Sequence, residues 1–322
     1  MLNIIFATLL GIGYGFVSVK GQFCMNSGFS NVIRKRDTTK LKSFILAILI
    51  PLAILPIVFY TLNQFPNTKP LISNITPPST ILFANIIGGF FFGISMYYSA
   101  GCGAGIFYKI GERNSGALLS VLGFIIGIFL FNQPFIQQLF SFLHYFSFDQ
   151  PFLWTSEFAF LMATILFILS SISIYVLLKK KDHSPSGAVW GWKKTGILVG
   201  IIGVIGWITA LYFQNSYSLA IIPGVQELLS FHFSWGFAIL IGIIIGAYLA
   251  SDKSKTFSKP KQTIIGKRIL GGIGLGISGS LATGCTVGHG LTFAPLLGLG
   301  SIVTIVFIFL GSGFMGYLTR KK

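Results

Sequence analysis

Residues 88–105 read GGFFFGISMYYSAGCGAG, and residues 271–288 read GGIGLGISGSLATGCTVG. At a constant offset of 183, without gaps, Gly88, Gly89, Gly93, Ile94, Ser95, Gly101, Cys102 and Gly105 recur as Gly271, Gly272, Gly276, Ile277, Ser278, Gly284, Cys285 and Gly288. Eight identities in 18 positions point to an internal duplication. Each copy is an apolar run that halts at a cysteine between glycines. Gly101-Cys102-Gly103-Ala104-Gly105 and Gly284-Cys285-Thr286-Val287-Gly288 are too flexible to continue a regular helix. The stretches that follow, IFYKIG and LTFAPLLG, are too short to cross a membrane and suggest re-entrant loops.

The rest of the chain gives these breaks their setting. Only 9% of its 322 residues are charged and 53% are hydrophobic, too few charges to cover a water-soluble surface. Runs of 18 or more mostly apolar residues can each cross a hydrocarbon layer of about 30 Å as a helix. We read nine such spans, at roughly 2–19, 42–62, 80–99, 114–132, 153–178, 195–213, 234–251, 266–284 and 299–319. The expected class is therefore an all-α polytopic membrane protein. Its three cysteines are far apart and its four histidines scattered, which argues against a disulfide scaffold or a metal centre. No cofactor is expected. The net charge of +16 reflects topology rather than nucleic-acid binding. With nine spans, 22 of the 23 basic residues fall on one side and only Lys69 on the other. The positive-inside rule then places the N-terminus outside and the C-terminus in the cytoplasm. The first apolar run has no basic region ahead of it and reads as a retained span rather than a cleaved signal.

Topology also gives the duplication a direction, since span 80–99 runs inward and span 266–284 runs outward. The chain is expected to divide into inverted halves, 1–178 and 195–322, around the polar linker at 179–194. Such folds place a substrate site near the midplane, between interrupted helices. A third break, Gly21-Gln22-Phe23-Cys24-Met25-Asn26-Ser27-Gly28, follows the first span. Symmetry puts a fourth, without cysteine, around 216–230. The polar-aromatic stretch 133–152 is expected to lie at the outer interface. The five tryptophans are read mainly as interface anchors.

A single membrane cysteine is commonly a small buried hydrophobe. Here all three, Cys24, Cys102 and Cys285, lie in glycine-rich breaks and none lies within a helix. Thiols are weak donors and sulfur is polarizable, so a line of them suits the passage of a sulfur-containing anion. The half-helices after the breaks would turn their N-termini to the same cavity and favour negative charge. His289 either donates to an anion or orients its loop. Lys109, Glu112 and Arg113 read as an ordinary rim of charge. Glu157 and Glu227 are acids near outer span ends, able in principle to carry protons. A phosphate or sulfate carrier would more often bury arginines. A membrane thiol oxidoreductase stays open as a competing class, although C-x-x-C is absent.

The motifs GQFC at 21–24, AGCGAGIFYKIGERNS at 100–115 and ATGCTVGHGL at 282–291 resemble the YeeE/YedE family of sulfur transport proteins, most closely its full-length thiosulfate-uptake members. The resemblance spans nearly the whole chain. It implies nine spans plus re-entrant loops in a pseudo-twofold hourglass, in the inner membrane, importing thiosulfate for cysteine synthesis rather than catalysing a reaction. It further implies a relay in which Cys285 receives the ion, Cys102 holds it centrally and Cys24 releases it to the cytoplasm. The implied substrate contacts are those thiols with Gly101, Gly105, Gly284, Gly288 and His289. A branch of the family is tied to selenium metabolism, so other sulfur or selenium species remain alternatives. Members often act beside a small sulfurtransferase-like protein, an expected cytoplasmic partner here. No ATP-binding motif is present, which leaves passive or ion-coupled transport.

Overall fold

The computed structural model describes residues 1–65, 80–148, 159–185, 188–252, 254, 256–257, 260 and 262–320, without side chains at 144–146 and 148. It is almost entirely helical. Helix α1 (Leu2–Gly21) is followed by short α2 (Met25–Arg34), then α3 (Thr39–Gln64), α4 (Leu82–Ser99), short α5 (Gly103–Gly111) and α6 (Ser115–Phe131). After α7 (Pro134–Phe140) and α8 (Ala159–Lys179) the same order returns. It comprises α9 (Trp192–Tyr212), short α10 (Ile222–Leu229), α11 (Trp235–Ala250), α12 (Gln262–Leu281), a short π-helical turn (Gly288–Phe293) running into a 3-10 turn (Ala294–Leu296), and α13 (Leu299–Leu318). The only pairing of strands among the described residues is a two-residue antiparallel contact of Thr80–Ile81 with Ser147–Phe148.

Helices occupy every stretch expected to span, as far as those stretches are described. By length and hydropathy six helical stretches among the described residues can cross a membrane, or seven if Ser115–Phe131 and the segment Pro134–Leu143, bent away by 76°, form one span. Trp235–Ala250 is too short to qualify, at 16 residues. Gln262–Leu281 carries Lys267 and Arg268 in its second turn and is diluted by glycine. Helix α8 turns Phe160, Leu161, Phe167, Ile168, Leu169 and Ile172 outward, a surface that only lipid or another apolar body can cover. This is a multi-pass membrane protein.

Eight described non-glycine residues have positive φ, and they fall in four pairs. Gln22 (φ 48°) and Gln214 (55°) follow the first long helix of each run; Arg36 (56°) and Phe231 (55°) follow the first short one. Ala100 (71°) and Thr283 (61°) follow the third long helix of each run, Arg113 (62°) and Leu297 (58°) the second short segment. A left-handed residue costs a non-glycine about 1–2 kcal/mol. In return it closes the helix end, as when Phe23 donates to the Ser18 carbonyl (2.9 Å) and Asn215 to that of Ala210 (2.8 Å).

The two runs pack against each other more than within themselves. Helix α1 lies on α11, α3 on α9, α6 on α12 and α13 on α4, with α4 and α12 in contact at the centre. Glycine makes these crossings close. A Cβ built at Gly15 would lie 2.2 Å from the Ile243 carbonyl oxygen, and one at Gly276 would lie 2.4 Å from that of Phe124. The basic segments are tied together at one end. There the Val189 and Trp190 amides donate to the Lys20 carbonyl, Arg113 to that of Asp252, and Lys193 to that of Leu178.

The tryptophans need a correction. Trp192, Trp207 and Trp235 are not interface anchors but fully buried struts. Each indole N–H donates to a loop carbonyl, of Lys181, Thr292 and Ser218 respectively, which accounts for a large polar-tipped ring in the interior. Trp154 lies outside the described residues. Two glycines on one helix test the packing account. A Cβ at Gly13 meets only the Ile202 side chain, at 3.6 Å, so Gly13→Ala should keep or raise the melting temperature. Gly15→Ala should lower it, because the clash outweighs the roughly 1 kcal/mol that alanine gains in a helix, as thermal unfolding in detergent will show.

Candidate functional site

Each cysteine begins a short helical segment. The carbonyls of Cys24, Cys102 and Cys285 accept the first helical hydrogen bonds, from Gly28 (2.9 Å), Ile106 (3.0 Å) and His289 (2.8 Å). In the remaining short helix the same bond runs from Val225 to Ile221 (3.2 Å), so an isoleucine stands where the others have cysteine. The three amides ahead of each cysteine's bond, and the two ahead of the isoleucine's, where Pro223 has no N–H, have no acceptor within their own segment. The cysteine sulfurs lie against the last of them, at Ser27, Gly105 and Gly288. The Cys24 and Cys102 side chains nonetheless make no capping hydrogen bond, and all three thiols are buried and unpaired.

These four segment starts converge. A Cβ at Gly105 would sit 3.2 Å from the Cys102 sulfur and 4.0 Å from that of Cys24, so Gly105 occupies the gap between two thiols. A Cβ at Gly103 would sit 3.6 Å from the Cys285 sulfur and 3.9 Å from Ile221. Tyr14, inside α1, faces all three sulfurs. Cys285 also opens onto a cavity of about 180 Å³ bounded by Ser216, Tyr217, Ile221, Thr283, Gly288 and Phe293. A Cβ at Gly288 would meet nothing within 4 Å, so this glycine borders open space.

On the other side of the thiols lies charge. The Lys40 ammonium donates to the Ser27 hydroxyl (2.9 Å), and Lys109 donates to the Ala100 carbonyl. Both face Cys24. Glu112 stands nearby and accepts from the Gln22 amide (3.1 Å). Beyond them, hydrogen bonding from Thr39 holds the Asp37 carboxyl below the usual carboxylate range, so it stays ionised beside Lys40. Lys109 thus does more than decorate a rim, and Lys40, counted in the sequence only among the basic residues that mark orientation, joins it. Nothing in the spacing of Lys40 marks it, because a turn between α2 and α3 brings it back to Ser27.

His289 has no nitrogen left for an anion. Its Nδ1 pairs with the Ser301 hydroxyl and its Nε2 with the Ala282 carbonyl, both at 2.9 Å. The carbonyl can only accept, so Nε2 carries the proton and the ring props the Cys285 break. Gly284 makes room for that ring, since a Cβ there would lie 2.6 Å from it. Gly101 packs on the backbone of Gly105, 3.1 Å from where its own Cβ would be. Glu227 is likewise committed. It accepts from the Tyr217 hydroxyl (2.7 Å) and from the amides of Ser234, Gly236 and Phe237 at the start of α11. Glu157 lies outside the described residues. Among those described, no three histidine, cysteine or acidic side chains meet at a point that would hold a metal ion.

The family model for sulphur transport matches residues 20–314, from just ahead of the first cysteine break to the end of α13. The chain belongs to the sulphur transport family. Two relatives resemble it along their length. Thiosulfate transporter TsuA of Spirochaeta thermophila is 26% identical over 336 residues, covering 98% of each chain. Thiosulfate transporter TsuA of Escherichia coli K12 is 22% identical over 339 residues, covering 97% of this chain and 93% of its own. In this member of the sulphur transport family, Gly105→Ala should leave folding intact, since alanine suits a helix better than glycine. The added methyl would fill the space between Cys102 and Cys24. Uptake of the transported species should fall steeply at an unchanged melting temperature.

Proposed function

We propose that this chain imports thiosulfate by passing it along Cys285, Cys102 and Cys24 to the Lys40–Lys109 pair. The observation that carries this reading is the succession itself: a cavity, three free buried thiols and two ammonium groups in order. The names of both relatives support the choice of thiosulfate. Between the charged mouth and the cavity the anion meets S–H groups and first-turn amides, donors strong enough to replace water and weak enough to release it. The lysines then compensate its charge on arrival.

The same reading sets the protein in the inner membrane with its N-terminus outside and its basic end in the cytoplasm. It takes 1–178 and 195–322 as inverted halves, supported by the four pairs of left-handed residues. Imported thiosulfate would feed sulfur assimilation towards cysteine, with a small sulfurtransferase-like protein receiving it at the basic end. The thiols act as hydrogen-bonding stations and undergo no covalent change.

Radiolabelled thiosulfate uptake into proteoliposomes tests the relay. Each of Cys24→Ala, Cys102→Ala and Cys285→Ala should cut uptake by at least about tenfold, equivalent to ~1.4 kcal/mol, while the protein still inserts. Unlabelled thiosulfate should compete better than sulfate, sulfite or selenite, and thiol counts should not change during turnover. Wild-type rates with Cys102→Ala would remove the relay. A disulfide or persulfide formed in turnover would point to thiol redox chemistry instead, and stronger competition by selenite to a selenium carrier.

A further inference from the structure

Two buried hydroxyls beside the thiols have no oxygen or nitrogen partner. Tyr108 is 1% exposed and Thr286 0%, yet Tyr108 Oη and Thr286 Oγ1 have at most a weakly accepting thiol sulfur, of Cys24 and Cys102 respectively, to turn to. Some buried hydroxyls here return a hydrogen bond to their own helix, as Ser120 does to the Gly116 carbonyl and Thr304 to that of Gly300, whereas Ser18, Ser43, Ser218 and Ser280 are unpartnered too, so it is their place beside the two inner thiols that sets Tyr108 and Thr286 apart. Thr286 lacks this option because it directly follows Cys285 and has no helical turn behind it. The Tyr108 hydroxyl stands too far from its own backbone. An unpartnered buried hydroxyl costs stability, so its retention calls for an occupant that pairs with it.

Their positions identify that occupant. Tyr108 Cε1 lies 4.0 Å from the same Gly105 point that the Cys24 and Cys102 sulfurs approach. Its hydroxyl end stands beside Cys24, and Thr286 stands beside Cys102. Each of the two inner thiols therefore has one free hydroxyl as neighbour. An O–H is a far stronger donor than an S–H, and strongest towards a charged oxygen. A soft donor beside a hard one matches an anion with sulfur at one end and oxygens at the other. We propose that Tyr108 and Thr286 are substrate-binding residues that hold the oxygen end of the permeant anion while the thiols face its sulfur. This deepens the thiosulfate reading and rests on it. It also provides a way to disfavour anions built of oxygen alone, which would leave the thiols without a matching sulfur, and of sulfur alone, which would leave the hydroxyls unpaired.

The test uses Tyr108→Phe and Thr286→Val in the full-length protein, with thermal unfolding in detergent and radiolabelled thiosulfate uptake in proteoliposomes. Each variant removes one oxygen and little else. The melting temperature should stay the same or rise, because an unsatisfied group is gone, while uptake falls about tenfold or more, as expected for losing a hydrogen bond to a charged group. Thr286→Ser, which keeps the hydroxyl, should restore most of the uptake. A fall in melting temperature together with uptake would make the hydroxyls structural and overturn the proposal. If wild type takes up thiosulfate, Cys102→Ala does not, and both hydroxyl variants match wild type, the proposal fails and the relay stands. If wild type takes up none, both fall.

Discussion

A helix that stops inside an apolar layer exposes backbone groups where no water can reach them, and this chain stops helices there repeatedly. The carbonyl ends and the amide ends are treated differently. Carbonyls are closed locally, by a left-handed residue that swings the next amide back onto the helix, as Asn114 does to Lys109 and Gly298 to Phe293. Several receive side chains as well, as Ala100 does from Lys109 and Ala282 from His289. The amide ends of the short segments are left unclosed. They turn towards one another and the cysteines, so the unsatisfied part of the backbone is gathered in one place instead of being dispersed. On the proposed reading, a site that attracts anions follows from where the chain cannot satisfy itself.

Gathering four segment starts in one interior requires the surrounding helices to approach closely and hold still. Glycine supplies the approach, at Gly15, Gly246, Gly127 and Gly276, where a Cβ would collide with a facing carbonyl. Buried polar side chains supply the rigidity. Trp207 and Trp235 brace the loops at Thr292 and Ser218, and Asn85 reaches both Ala282 and Thr304. Asn26 ties the start of α2 to the Met96 carbonyl of α4. The polar groups around the breaks thus serve two ends. Some are spent on holding the breaks, His289 and Glu227 included; others, Tyr108 and Thr286 beside the thiols among them, have no oxygen or nitrogen partner.

The positions of the breaks were legible because a glycine-flanked cysteine in an apolar run contradicts its surroundings, and a local contradiction needs no tertiary information. The second half of each run of helices was legible too, since Ala100 and Thr283 keep the offset of 183 that aligns the cysteines. The first half was hidden from an ungapped comparison. Gln22 corresponds to Gln214 and Arg36 to Phe231, offsets of 192 and 195, so insertions of a few residues had destroyed the register. Residues that reach the thiols from another element left no trace in one dimension. Tyr14 sits in an apolar helix and reads as core, Tyr108 reads as a short helix's aromatic, and Lys40 reads as one more basic residue. The tryptophans misled for a related reason: a span end and a buried break give the same local sequence when the break itself interrupts a span.

On the proposed reading, charge is confined to the mouth and the middle is neutral, and the order matters. A buried lysine or arginine in the middle would bind a dianion tightly, because in a low dielectric nothing screens the pair, and would hold it. Thiols and amides offer partial charges only, so each station costs the ion its water without trapping it. The lysines stand where water can return, and there a strong interaction speeds arrival more than it slows departure. The isoleucine at position 221 fits the same logic. It stands where symmetry would put a fourth thiol, on the cavity side next to Cys285, where the ion is still partly hydrated and another soft ligand would add residence time without adding a step. An apolar residue there narrows the approach to a single sulfur, which makes Cys285 the first point at which a sulfur-bearing anion is distinguished from one without sulfur.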